Sequence, residues 1–235
     1  FLLANLADFD AGRDALPVDE WLEIDRYALV MLGELQQALV PSESGSKQPR
    51  NPGHYGNYEF HAVAQRLQTF CSEELGGFYL DILKDRLYTA PANSKARRSA
   101  QNALHHITHA LTRLMAPILS FTAEEVWELL SLGDAGVFEQ TWLDIKWPAD
   151  TDQLRKRWLP LRALRGDVTK RLEELRSAGN IGSSLAGELD IHAEGEALEL
   201  LRSFADDLRF VFITSRATVH AGRADGAQET VLPGV

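Results

Sequence analysis

Apolar residues recur at helical spacing along most of this chain. Between Asp19 and Leu39 they fall at Ile24, Ala28, Met31, Leu32, Leu35 and Leu39, which predicts an amphipathic helix entered after Pro17. From Tyr58 a second stripe runs through Phe60, Val63, Ala64, Leu67, Cys71, Leu75, Phe78 and Ile82, interrupted by Gly76 and Gly77, where a kink or a close helix crossing would justify the glycines. If that stripe continues, Asp85 falls on it. A buried carboxylate needs a partner, and Arg97, on the flank of the next helix, is the candidate for an Asp85–Arg97 pair. Ser94 reads as the cap of a helix reaching Met115. Its apolar face holds Ala100, Ala103, Leu104, Ile107, Leu111 and Leu114, and its polar face Arg98, Gln101, Asn102, His105, His109 and Arg113. Pro117 ends or kinks it, and Thr122 with Glu125 has the capping-box spacing for a further helix through Trp127 to Leu130.

Several long amphipathic helices with short links predict a mainly α fold, an antiparallel helix bundle spanning residues 1–148. Inside it, residues 41–57 are rich in Pro, Gly and Ser without periodicity and read as a mobile loop. A small α/β domain is predicted over 149–220. It would hold a long charged helix from Asp152 to Ser177, with Pro160 as a kink or break, a strand at Glu188–His192, a helix from Gly195 to Asp207, and strands at Phe210–Ile213 and Ala217–Val219. Residues 221–235 read as a frayed tail.

Composition narrows the function classes. A chain of 235 residues that is 45% hydrophobic supports a substantial core. No apolar run approaches the ~20 residues of a membrane span. The single cysteine, Cys71, rules out an intrachain disulfide framework, suits a reducing, cytoplasmic setting, and lies on an apolar stripe, so a small core residue is its default reading. The start at Phe1-Leu2-Leu3-Ala4-Asn5-Leu6 lacks an initiator methionine and a basic stretch, so it reads as the middle of a helix in a piece of a longer chain. The net charge of −10 counts against a nucleic-acid binder, although a local basic patch can act within an acidic whole.

Candidate chemistry is sparse. His105 and His109 share a helix face at a metal-binding spacing, but no cysteine or suitably placed acid completes a set. The default is a solvated polar face, or one that touches phosphate when protonated. Glu73, Glu74, Asp81 and Asp85 form no pair that would mark acid–base catalysis, and no Gly-rich phosphate loop follows a strand. Lys84, Arg86, Lys95, Arg97 and Arg98 cluster around Tyr88, a combination that can hold phosphates and stack on an unpaired base. By spacing alone, ordinary helix-end charge remains the simpler reading. The basic residues from Arg155 to Arg176 are interleaved with acids and read as a solvated helix face.

Ordered segments then carry a resemblance. Phe1 to Leu6 with Asp8-Phe9-Asp10, Tyr58-Glu59-Phe60-His61, Phe70-Cys71-Ser72, Phe78 to Asp81, Lys84-Asp85-Arg86-Leu87-Tyr88-Thr89, Arg97-Arg98-Ser99 with Gln101, and Met115 to Trp127 resemble the anticodon-binding domain of the bacterial isoleucyl-tRNA synthetases, a class I family. Arg165-Gly166-Asp167-Val168, Gly182 to Leu185 and Leu208 to Val211 resemble the junction domain that follows it. The resemblance implies a non-catalytic fragment that holds the anticodon stem-loop of isoleucine tRNA. The whole enzyme would charge that tRNA using ATP with magnesium, act as a cytoplasmic monomer, and bind zinc through a C-terminal tail. The ATP-binding, editing and zinc-binding motifs of the family are absent here, so no catalytic residue, cofactor or metal is expected in this piece. Lys84, Arg86, Tyr88, Arg97 and Arg98 are the candidate tRNA contacts, with Arg66 and Asn102 as further ones. Asp81, Asp85 and Trp127 are expected to be structural. A valyl- or leucyl-tRNA synthetase domain, or a helical protein–protein interaction module without RNA binding, are the alternatives.

Overall fold

The computed structural model describes residues 1–41, 52–130 and 135–235. It divides into two compact units, Phe1–Thr151 and Asp152–Val235. The first is a helical bundle. Two short helical turns, Leu2–Asn5 and Ala11–Asp14, precede α1 (Glu23–Leu39). A further turn, Gly53–Gly56, leads into α2 (Phe60–Thr69), which runs through a π-helical segment, Phe70–Tyr79, into α3 (Leu80–Thr89). The helices α4 (Lys95–Met115) and α5 (Ser120–Leu129) complete the unit. Of the loop expected over 41–57, residues 42–51 lie outside the described residues, and 53–56 are helical with Gly53 buried.

The π segment corrects the predicted stripe. Its backbone bonds span five residues instead of four, so Phe70 and Leu75 both face the core and the helical phase advances by one residue. The buried positions are Val63, Leu67, Phe70, Leu75, Phe78, Tyr79, Leu83 and Leu87. Cys71, expected in the core, is turned outward and exposed, and Asp85 is exposed as well. Gly76 and Gly77 belong to this wider turn: a Cβ at Gly76 would lie 3.1 Å from the Cys71 carbonyl oxygen, and one at Gly77 3.4 Å from that of Ser72.

The phase shift points Tyr79 and Arg86 inward, onto Asp25 of α1. Asp25 is fully buried and accepts hydrogen bonds from the Tyr79 hydroxyl at 2.7 Å and the Ser99 hydroxyl of α4 at 2.5 Å, and it forms an ion pair with Arg86. Burial holds the Tyr79 hydroxyl well above its usual pKa, the Asp25 charge adding to the effect. The expected Asp85–Arg97 pair does not form. Arg97 instead donates to the Leu87 carbonyl at 2.5 Å and to Asp8 at 3.2 Å.

The helix α4 is buried on its polar side as well as its apolar one. Ser94 caps it, its hydroxyl accepting from the Arg97 N–H at 3.2 Å. Gln101 donates to the Asn5 carbonyl at 2.9 Å and to Asp8 at 2.7 Å. Asn102 donates to the Asp14 carbonyl at 3.0 Å and accepts from the Leu16 N–H at 3.0 Å. These bonds strap residues 1–16 onto α4. The helix α5 starts at Ser120, ahead of the predicted Thr122 box, and its N-cap position, Leu119, makes no side-chain cap bond. The Trp147 ring packs against α1 at Gly33: a Cβ there would sit 2.7 Å from the ring, so glycine is required.

In the second unit, α6 (Thr151–Ser177) continues through Pro160. Strands β1 (Glu188–Ala193) and β2 (Arg216–Ala221) pair in parallel, with Ile191 opposite Val219 and His192 opposite His220. Between them lie α7 (Gly195–Arg202) and α8 (Leu208–Phe212). The expected strand at Phe210–Ile213 is a correction. Leu208, Val211 and Phe212 are buried at i, i+3 and i+4, so helical burial overrides β propensity. Arg165 of α6, itself buried, donates to the C-terminal end of that helix at the Val211 carbonyl, 2.8 Å away. The tail expected to fray is tethered: Val231 N–H donates to Asp167 at 2.6 Å and Glu194 N–H to the Gly234 carbonyl at 2.9 Å.

Removing one partner of a buried ion pair strands the other charge, a loss of about 3–5 kcal/mol. Urea denaturation of Arg86→Ala should therefore show destabilisation of that order, whereas Lys84→Ala, two residues away and exposed, should stay within about 0.5 kcal/mol of the parent.

Candidate nucleic-acid interface

The seven candidate contacts separate into two groups. Four are engaged inside the bundle. Arg86 serves Asp25. Arg97 and Arg98 converge on Asp8, and Arg98 also donates to Gln101 at 2.7 Å and lies 3.5 Å from Asp14. Their side chains are 18, 21 and 11% exposed, and Asn102 is 2% exposed. The sequence cluster from Lys84 to Arg98 is therefore not one basic face in space. Burial raises the pKa of the Asp8 carboxyl, but hydrogen bonds from Arg97 and Gln101 and the Arg97 charge outweigh this and leave it below its usual value.

The other three face solvent. Lys84 and Tyr88 are four residues apart on α3, so they share a helix face. Tyr88 is 68% exposed and meets the ring of Phe1, itself 45% exposed, edge to face at 6.5 Å. Lys84 pairs with Asp81 at 3.0 Å, an exposed pair of little energetic weight, so its ammonium can transfer to a phosphate at small cost. Arg66 is exposed on α2. Phe1 was not a candidate by sequence, because nothing in the spacing placed it beside Tyr88. The acids that claim the arginines were also missed. For Asp25 a signal existed: it precedes Ala28, Leu29 and Leu32 at i+3, i+4 and i+7, on the buried face of α1.

The histidines are not a solvated face. His109 is 7% exposed, its ring 5.6 Å from Trp127, with the Arg113 guanidinium stacked 4.5 Å from the same Trp127 ring. Arg113 donates to His109 Nδ1 at 3.2 Å, a role that requires a neutral acceptor nitrogen. His105 lies between Phe9 and His109, ring centroids 5.3 and 4.2 Å away. Burial first, then neighbouring positive charge, pushes His105 down to about 4 and His109 down to about 3. Both are neutral near pH 7, which removes the reading of protonated histidines touching phosphate. Among the described residues no three His, Cys, Asp or Glu side chains converge as a metal set, and no helix is long and apolar enough to cross a membrane.

A bundle that presents exposed aromatic and cationic side chains on one helix has the groups that a recognition surface uses. Comparison with known proteins agrees: the family profile described as the anticodon-binding domain of tRNA ligase matches residues 52–192. The chain belongs to this family. It is 56% identical over 225 residues to an isoleucine–tRNA ligase of Thiobacillus denitrificans, covering 96% of this chain. It is 53% identical over 231 residues to one of Burkholderia ambifaria, covering 98%. The chain spans 23% of the length of each of these relatives.

The histidine burial has a measurable consequence. Because both folded-state pKa values lie below the unfolded value near 6.5, the unfolded chain binds protons first as pH falls. Stability should be undiminished above about pH 6.5 and decline towards pH 4, by about 1.4 kcal/mol per pH unit for each histidine fully engaged. His105→Gln should reduce that slope in denaturation curves taken from pH 7 to 4, whatever it does to stability at pH 7.

Proposed function

We propose that this chain is the tRNA-recognising part of an isoleucine–tRNA ligase, and that it binds the anticodon stem-loop of isoleucine tRNA. The observation that carries the reading is the match to isoleucine–tRNA ligases along nearly the whole chain, 96–98% of it. The exposed Phe1–Tyr88 pair gives unpaired anticodon bases a surface to stack on. Lys84, and separately Arg66, supply cations for the phosphate backbone. Arg86, Arg97, Arg98 and Asn102 support the interface by holding α1, α3, α4 and residues 1–16 together, instead of by touching RNA. Amino-acid activation with ATP and magnesium, and any zinc site, are assigned in this reading to the rest of such an enzyme. The enzyme is taken to act as a cytoplasmic monomer.

The net charge of −10 favours a second reading, a protein-interaction module that does not bind RNA. Titration with isoleucine tRNA over a salt series separates the two. The first reading requires binding that weakens with salt and with a changed anticodon, while absence of binding at low salt favours the second. Under the first, Tyr88→Ala should cost about 1–3 kcal/mol of affinity, and Lys84→Ala should lower the slope of log K against log salt by about one. A fully retained affinity in both variants would remove this surface from the interface.

A further inference from the structure

The helix α6 carries a charge imbalance that its unit does not use up. From Arg155 to Arg171 it holds seven cations and one acid, in a chain of net charge −10. Several cations have partners. Arg155 pairs with Asp152, Arg157 donates to the Ser203 hydroxyl at 2.9 Å and stacks 4.5 Å from the Phe204 ring, Arg165 is buried, and Arg171 pairs with Glu174. The lone acid, Asp167, is occupied by the Val231 N–H. Lys156 and Lys170 remain exposed and form no ion pair among the described residues. They are fourteen residues apart, roughly 21 Å along the axis, and spaced by two sevens through Ala163, so they lie on one side of the helix.

Between them, Gly166 is the unexplained residue. It is exposed in mid-helix, where glycine is the least favourable residue after proline. A Cβ added there would meet nothing within 4 Å. Gly33, Gly76 and Gly77 each have a crowding atom within 3.4 Å that accounts for them, whereas nothing among the described residues accounts for Gly166. A bare backbone flanked by Arg162, Ala163 and Lys170 suits a ligand that lies close along the helix and carries repeated negative charge.

We infer that this face of α6, Lys156 through Gly166 to Lys170, is a second RNA contact that holds phosphodiester backbone independently of base sequence. The inference rests on the tRNA-binding reading above and adds a surface to it. Its chemistry differs from the Phe1–Tyr88 surface: lysines that neutralise phosphates affect all sequences alike and set the salt dependence, while stacking responds to which bases are unpaired.

The test uses the 235-residue chain and isoleucine tRNA over a salt series, with Gly166→Gln, Lys156→Gln and Lys170→Gln beside Tyr88→Ala. Gly166→Gln should make unfolding severalfold less favourable, because glutamine favours helix, yet weaken tRNA binding about tenfold. Each lysine variant should lower the log–log salt slope by about one and weaken an anticodon-altered tRNA by the same factor as the parent tRNA. Unchanged tRNA affinity in Gly166→Gln, or an unchanged slope in both lysine variants, would overturn the inference. Tyr88→Ala discriminates the failures. If it weakens binding while the α6 variants do not, only the α6 contact falls; if the parent chain binds no tRNA, the underlying reading falls. Equal binding of polyglutamate by the α6 face, lost in the same variants, would also overturn it, by making the face a site for acidic polypeptide.

Discussion

The bundle depends on a carboxylate that has no access to water. Asp25 is fully buried and would be intolerable unpaired, yet its oxygens reach the guanidinium of Arg86 and the hydroxyls of Tyr79 and Ser99. Those partners come from α3, the π-helical segment and α4, so one charge fixes the positions of four elements. The network exists only because the π segment advances the helical phase. Without that one-residue shift, Asp85 would face the core and Arg86 would turn away, leaving two acids inside and no cation. An apolar replacement of the whole network would serve stability as well. The polar version specifies which helix faces meet.

The same logic governs where function can reside. A basic cluster in sequence is commonly read as an anion site, but each arginine here has a competing carboxylate within reach: Asp25 for Arg86, Asp8 for Arg97 and Arg98, Asp14 again for Arg98. A half-buried guanidinium with a fixed partner gives up more in switching to phosphate than an exposed ammonium does, because its carboxylate would be left desolvated. Lys84, weakly held by Asp81 at the surface, has no such penalty. So, under the proposed RNA-binding reading, α3 divides a structural role for Arg86 from a recognition role for Lys84.

How much of this was legible in the sequence follows from the range of each interaction. Periodicity is a local property, so α1, α4, the cap at Ser94 and the strand at Glu188 could be read directly. The π segment could not: a five-residue step looks like a four-residue stripe with one misfit until packing selects the register, and Cys71 and Asp85 were misplaced as a result. The helix at Leu208–Phe212 was misread because its aromatic and β-branched residues favour strands locally, and only burial of Leu208, Val211 and Phe212 against their own unit decides otherwise. The candidate site shared this limit. Tyr88 and Lys84 could be picked out by type, but Phe1 lies 87 residues away in sequence, and the acids that withdraw the arginines lie between 61 and 90 away. Long-range pairing is invisible to a linear pattern, whereas the resemblance, carried by segments in order, does not depend on knowing it.

An acidic chain that binds a polyanion must confine its attraction to small areas. At physiological ionic strength the field of an exposed charge fades over about 8 Å, so the distant carboxylates that produce the net charge of −10 contribute little at a given phosphate. What matters is the local count, and acids on the outer faces of α6 are paired at its ends, Asp152 with Arg155 and Glu173 with Arg176, leaving the stretch between them positive. Under the proposed RNA-binding reading, the net charge of −10 therefore does not oppose a correctly placed RNA, because the charge that acts on a phosphate is the local one.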